Sequence, residues 1–486
     1  MYISAMQGQK TYREKFFVNF HLSERVPEGN FYRRLKSSLD LEYLRALTKD
    51  YYGIEGQKSI DPVVFFKLML VGYLENICSD RKIIEQCSLR MDVLYFLGYD
   101  IDEPLPWHST LSRTRKLFGE EVFLDFFRDI LRKCVEKGLV NGKTQAVDSA
   151  FIKANASMDS LAERELAEKS KKYFDSVTES EDSPSEEKKP SSKGGGDGDY
   201  NDRHASKTDP DARLSCKRGK AMALNHLGII SVDSESHIIC GATVDYADKR
   251  DSQTVESIVG QTIDNLGENG MDVEEVLADT NYSSGEAYKY LAGRNIKACI
   301  PVCGSYKARR DGFSYDKEED CYICGKGVKL AFKGITRLKG RATTGRMYCS
   351  NAGDCRGCPL KAQCCKNKNH KRIDHSSDKP YYDEAYERMR TSGGRRKMCL
   401  RSATVEPVLG TLLNFRRMKK VYTIGQEQAR KQILMAAAAY NLKKLMNAMR
   451  FKDVKSAVNA AKAALLEGIS ALDRFGLLKY KIPAMI

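Results

Sequence analysis

Between Thr144 and Val302 the apolar runs follow an order that few sheets can accept, and this order constrains the fold more than any other feature. The segment TQAVDSAFIKA, Thr144 to Ala154, mixes β-branched and apolar residues behind Gly142 and reads as a strand with Asp148 near its middle. Two further runs, LNHLGIISV and HIICGATV, flank the polar Asp233-Ser234-Glu235-Ser236 and read as a hairpin. Asp251 or Ser252 then caps a helix through Val259 and Ile263, and Val273 to Leu277 make a fourth strand that ends at Asp279. A helix from Ser283 to Leu291 and a strand from Lys297 to Val302 close the series. The predicted order is β-β-β-α-β-α-β.

That order is the one used by ribonuclease-H-like nucleotidyl transferases: three antiparallel strands, then alternating helices and parallel strands, with the first and fourth strands adjacent. In such a sheet Asp148 and Asp279 meet although 131 positions separate them, and a third carboxylate on a later helix would complete a site. The expected fold class is α/β, a ribonuclease-H-like mixed sheet with flanking helices, plus an N-terminal all-helical domain and a Cys-rich insertion.

A chain of 486 residues exceeds what one core supports, so several units are expected. Residues 1–135 read as an N-terminal helical domain, with apolar positions at helical spacing in Pro62 to Leu74 and Lys82 to Leu97. Ser79 and Asp80 suit the start of the second of these helices, and Ser109 with Thr110 suit a short one from Leu111 to Leu117. Arg113, Arg115 and Lys116 on that short helix suggest a DNA-binding helix pair, with an ordinary solvated face as the alternative. Residues 136–302 form the first part of the sheet domain. Within it, 175–215 collapses to Ser, Glu, Lys, Gly, Asp and Pro and is expected to be a disordered or loosely held insertion. Residues 303–397 read as a basic, Cys-rich insertion with little periodicity of its own. Residues 398–450 return to helix, from about Cys399 through Glu406 to Phe415 and again from Gln426 to Met449, and 451–486 read as a helical tail.

Eighty Lys and Arg against 65 Asp and Glu give a net charge of +15, which suits a polyanion such as nucleic acid without proving one. The longest apolar runs, such as Val63 to Leu74 with Lys67 inside it, are too short to span a bilayer, so no membrane partner is expected. Met1 to Tyr12 lack the order of a secretory signal, and the expected location is cytoplasmic and nucleoid-associated. Fifteen cysteines in such a chain argue for reduced thiols or a metal site. Seven fall between Cys321 and Cys365, and two C-x2-C pairs fit structural Zn²⁺ held by Cys321, Cys324, Cys355 and Cys358. Cys349 and Cys364 compete for the same role, and reduced cysteines in a basic loop are the alternative.

The blocks SIDPVVFFKLMLVGYLENICSDRKI, PWHSTLSRTRK, AVDSAFIKANAS, LADTNYSSGE, CRGCPLKAQC, RSATVEPVLGTLLNFRRM and ARKQILMAAAAYNLKKLM occur in this order. With them, most of the chain resembles the DDE transposases of bacterial insertion sequences, specifically the insertion-sequence-1182 type. The resemblance implies that Asp148, Asp279 and Glu406 are catalytic and hold Mg²⁺ or Mn²⁺, hard cations suited to oxygen ligands. It implies double-stranded DNA as partner, both the element's terminal inverted repeats and target DNA, and a homodimer in the synaptic complex. Arg401, five positions before Glu406, is expected to point away from the site and to meet phosphate. Lys366 to Arg372, Arg395 to Lys397, and Arg416, Arg417, Lys419 and Lys420 concentrate charge near the last carboxylate's helix, where DNA is expected unless these are solvated faces. Tyr282 contacts DNA or packs beneath the site, and packing is preferred. Leu413 stands where the family often has Lys, and Arg416 and Arg417 are candidate substitutes. Trp107 stands where the family often has Asp. A nuclease of the same fold and a non-catalytic DNA-binding relic are the rival readings.

Overall fold

The computed structural model describes residues 20–53, 59–164, 197–216, 221–304, 306–337, 344–365 and 368–474. The chain divides into two compact units, residues 1–72 with 77–118 and residues 73–76 with 119–486.

The first unit is helical, as its spacing predicts, with Phe31–Ser38, Pro62–Leu74, Asp80–Ser88, Met91–Leu97 and His108–Leu117 as its longer helices. Pro62–Leu74 is apolar on every side, which suits a helix surrounded by others rather than one at a surface. Phe65, Phe66, Leu68 and Leu70 are accordingly inaccessible. Phe118 stacks on Phe66 at 6.3 Å and meets Phe65 edge-on at 5.5 Å, closing this core. Ser79 caps Asp80–Ser88 by accepting from the Lys82 amide, as expected. The later helix starts at His108 rather than Leu111, with Trp107 before it and no side-chain cap.

The second unit is built on a mixed sheet. Its strands, in chain order, are β1 (Thr144–Lys153), β4 (Arg213–Ser215), β5 (Ala223–Asp233), β6 (Ile239–Tyr246), β7 (Glu275–Leu277) and β8 (Lys297–Cys299), while β2 (Leu161–Glu163) and β3 (His204–Ser206) pair separately. β1 and β5 pair antiparallel, as do β5 and β6; β1 and β7 pair parallel, as do β7 and β8. The resulting order is β6-β5-β1-β7-β8 with β4 also on β5, so the first and fourth expected strands, β1 and β7, are neighbours as predicted, while β4 was not foreseen. The helices Val255–Gly267 and Gly285–Gly293 pack their Ile258, Val259, Tyr288 and Leu291 against Val147, Leu227, Ile229 and Val276 on one face. The helices Glu120–Glu136 and Gln426–Arg474 pack together, and the latter also lies against β6. Asn441 fixes it there, its amide nitrogen donating to the Ile239 carbonyl at 2.8 Å and its oxygen accepting from the Ile239 amide at 2.9 Å. Gly228 lets Ile152 and Ile433 close in, since a Cβ there would stand 2.4 Å from Ile152 Cδ1.

Four expectations change. The helix Glu120–Glu136 belongs to the second unit, so the first ends near residue 118 rather than 135. Residues 197–215 of the supposed loose insertion are ordered as Asp197–Arg203, β3 and β4, while 175–196 lie outside the described residues. Polar pairing holds this segment where apolar content is low: Asn201 brackets both backbone groups of Leu214, and Asp209 meets His226 at 3.1 Å with both side chains inaccessible. The supposedly irregular 303–397 contains a five-stranded antiparallel meander, β9 (Phe313–Asp316), β10 (Cys321–Cys324), β11 (Lys329–Arg337), β12 (Thr344–Cys349) and β13 (Arg372–Ser376), built around Tyr322, Leu330, Tyr348 and Ile373. The helix from Gln426 runs on to Arg474, through the boundary expected at 450.

Candidate active site

Asp148 sits in the middle of β1, opposite Ile230 of β5, just beyond the stretch Thr144 to Ala146 that pairs with β7. Strand pleating sends Val147 and Ser149 to one face and Asp148 to the other. Thr144 lies opposite Glu275 in the parallel pair, and the same offset of 131 residues carries Asp148 level with Asp279. Asp279 ends the fourth strand's segment and caps the next turn, accepting from the Asn281 amide at 2.9 Å. Glu406 lies on the helix Ser392–Phe415, which packs on β1, β5, β7 and β8 through a face that includes the buried Val405, Val408 and Leu412.

Arg401, on the same helix, binds the site together. Its Nη1 lies 3.4 Å from Asp148 Oδ2 and 3.5 Å from Glu406 Oε1, and its Nη2 lies 3.3 Å from Asp148 Oδ2. This corrects the expectation that Arg401 points away. Five residues do turn its Cα off the Glu406 face, but the long side chain reaches back across that angle. Arg401 is buried at 7% side-chain exposure, Asp148 stands at 17%, and Glu406 is open at 59%, so one side of the site faces solvent.

Two residues that sequence reasoning gave other roles, or none, join this cluster. Ser149 donates to Asp251 at 2.6 Å, so Asp251 serves the site's floor and is not the helix cap that its position suggested. Burial pushes the Asp279 carboxyl above its ordinary range; Asp251 adds to that rise, while the Asn281 amide and Arg401 oppose it. The signal available in the sequence was the place of Asp251, a few residues beyond the third strand of a sheet whose first and fourth strands already carry carboxylates. Tyr282 is fully buried in the core beneath, the packing role preferred for it.

The expected DNA-contacting residues divide. Arg113 and Lys116 are exposed. Arg115 instead is buried and pairs with Asp80 at 2.7 Å, because its position on the helix turns it inward. Arg416 and Arg417 are also buried: Arg416 donates to the Leu74 carbonyl at 3.2 Å, and Arg417 stacks its guanidinium over Tyr73 at 4.7 Å. They therefore do not replace a lysine at Leu413. Lys419 is exposed and Lys420 half-buried, their backbone continuing beside the end of β1. Arg395 and Arg396 are exposed, Lys397 is held by Glu275, and Lys366 lies outside the described residues.

The cysteines do not assemble as expected. Cys321 and Cys324 lie on β10, where Cys321 meets Glu319. Cys355 and Cys364 follow on two short helices, Ala352–Arg356 and Lys361–Cys364. Cys355 contacts Ser350 at 3.1 Å, and burial, with the thiols of Cys355 and Cys364 beside it, pushes the Cys365 thiol up to about 11. Cys321, Cys324, Cys355 and Cys358 are thus not brought together, and none of the fifteen cysteines is in a disulfide. Among the described residues no three His, Cys, Asp or Glu side chains form a metal-holding cluster as they lie, the three carboxylates included. The site nevertheless fits a hard cation, since its donors are carboxylate oxygens and a positive group already lies between two of them.

Comparison with known proteins adds two matches to family models. Residues 20–117 match the Transposase domain (DUF772), and residues 323–446 match the Transposase DDE domain. No curated protein matches. A solved structure described as a cryo-EM structure of a piggyBac transposase synaptic complex with hairpin DNA aligns over 93% of this chain and 84% of that one. Its 9% identity and TM-score of 0.23 carry no argument about this chain.

Proposed function

This chain belongs to the DDE transposases of insertion-sequence type, and from that premise we propose that it cleaves the ends of its element and joins them to target DNA at Asp148, Asp279 and Glu406. The observation that carries the reading is the convergence of three elements: β1, the end of β7 one parallel register away, and the helix that bears Glu406. In this reading Asp148, Asp279 and Glu406 hold Mg²⁺ or Mn²⁺, which supplies activation of the attacking oxygen and stabilisation of the leaving one. Asp148 is held by its pairing with Ile230 of β5, and Ser149 anchors the next position to Asp251. The exposed Glu406 leaves the side from which a phosphodiester can approach. Tyr282 fills the floor and keeps water from entering there.

The reaction that these residues would orient is attack of water at the element's end, then attack of the released 3'-hydroxyl on target DNA. Terminal inverted repeats are the proposed cleavage substrate, and two copies of the chain are proposed to act on the paired ends.

The test is end cleavage and strand joining by the purified protein on the DNA that flanks its gene, with Mg²⁺ or Mn²⁺ and with the metal chelated. Asp148→Ala, Asp279→Ala and Glu406→Ala are each expected to lose more than about a hundredfold in both steps, beyond what outer-shell losses cause. Cleavage without joining would leave a nuclease. Specific binding with no chemistry under either metal would leave a DNA-binding relic.

A further inference from the structure

Arg401 is buried beside the carboxylates and poorly satisfied by them. Charge-assisted hydrogen bonds between guanidinium and carboxylate run about 2.7 to 2.9 Å. Arg115 meets that standard with Asp80 at 2.7 Å, whereas Arg401 reaches Asp148 and Glu406 only at 3.3 to 3.5 Å. Its Nε is buried without a hydrogen-bond partner. A buried donor left unmade is costly, and stretched bonds return little of that cost. Arg401 is therefore easy to displace. It also bonds to both Asp148 and Glu406, so its guanidinium ties the strand carboxylate to the helix carboxylate.

We infer that Arg401 is a placeholder for the cation: in the metal-free, DNA-free chain its guanidinium holds Asp148 and Glu406 together, and an arriving divalent ion displaces it from those oxygens. The inference rests on the reading of these carboxylates as metal ligands. Arg401 and the ion compete for the Asp148 and Glu406 oxygens, and a guanidinium left in place would repel the ion. Displacement is open on the solvent side, where Glu406 is exposed. Arg401 acts here as a positioning residue, through the carboxylates, and it sets how tightly the metal binds before DNA arrives.

The experiment titrates Mn²⁺ into the full chain without DNA, reading free Mn²⁺ by electron paramagnetic resonance, for wild type, Arg401→Gln, Arg401→Met and Asp148→Asn. Removing the competitor should tighten Mn²⁺ binding about tenfold in Arg401→Gln, within the usual range of coupling between two ligands. The same variant should melt lower than wild type without metal and gain more than wild type on saturation with Mn²⁺. A merely structural arginine would lower the melting temperature without tightening Mn²⁺, and that result overturns the inference. If Arg401→Gln does not fold, Arg401→Met, which also removes the competing charge, is read the same way: tighter Mn²⁺ binding supports the inference and unchanged binding overturns it. Equal Mn²⁺ affinity in Asp148→Asn and wild type would instead remove the carboxylate site itself. Loss of binding in Asp148→Asn with no gain in Arg401→Gln removes only the placeholder.

Discussion

Arg113 and Arg115 stand two positions apart on one helix and have opposite surroundings. Arg115 turns inward to Asp80, and removing one partner of a buried pair leaves the other charge unpaired. Arg115→Ala is expected to destabilise the first unit by about 3 kcal/mol or more, measured by denaturant unfolding. Arg113→Ala, at an exposed position, should leave that midpoint within about 0.5 kcal/mol. Equal effects of the two would show that the helix is rotated from the orientation described. The same divergence separates Arg416 and Arg417, which are buried, from Lys419, which is exposed. A basic cluster was legible in the sequence, but its division was not, because a charge tally carries no record of which neighbours each side chain meets. The carboxylates were easier to read. Asp148 lies on an apolar strand and Asp279 just past the end of another, and the strand order fixes their neighbours, whereas Asp251 looked like a helix cap because it precedes one.

At the scale of elements, the main sheet apart from β4 was legible because its strands are apolar runs bounded by turns and the helices between keep their own period. The β9 to β13 meander was not. Its core is four buried side chains, and Lys, Arg and Gly interrupt the alternation that would have announced it. This meander carries a testable titration. His375 lies between the Tyr322 hydroxyl at 2.9 Å and the Tyr348 hydroxyl at 3.4 Å, and burial, with Lys379, Arg346 and Arg310 nearby and only Asp320 opposing, lowers it to about 4 from an ordinary 6.5. A depressed histidine favours the folded state fully above the unfolded value and loses that contribution as pH falls from 6.5 through 4. The protein should therefore lose about 1 kcal/mol of stability between pH 7.5 and 5, discounted for solvent reaching the ring. Unfolding followed by tyrosine fluorescence checks this, and His375→Gln should flatten that part of the pH profile. A second element, the 197–215 segment, was misread because its anchors are polar. Asp209→Ala removes the hydrogen-bond partner of His226 in an inaccessible site and should cost about 1 to 3 kcal/mol, with proteolysis at 197–215 as the local readout.

For the whole molecule, a net charge of +15 sets a salt dependence for DNA binding without saying which cations produce it. Among the described residues no helix is long and apolar enough to cross a membrane. Counterion release ties each phosphate contact to about 0.9 in the slope of log affinity against log salt. Lys419 and Lys420, whose backbone continues beside β1, are expected to contribute such contacts, and Arg416 and Arg417 are not, because they are buried against backbone and tyrosine. Lys419→Gln combined with Lys420→Gln should then reduce the magnitude of the slope by about 1.8, two contacts' worth, and leave the unfolding midpoint nearly unchanged. Arg416→Gln should do the reverse, lowering the midpoint while the slope stays put. Binding isotherms at four or five salt concentrations separate the two cases. A slope that falls with Arg416→Gln and not with the lysine pair would mean that the buried arginine comes out to meet DNA, and the end of β1 would no longer be where the duplex runs.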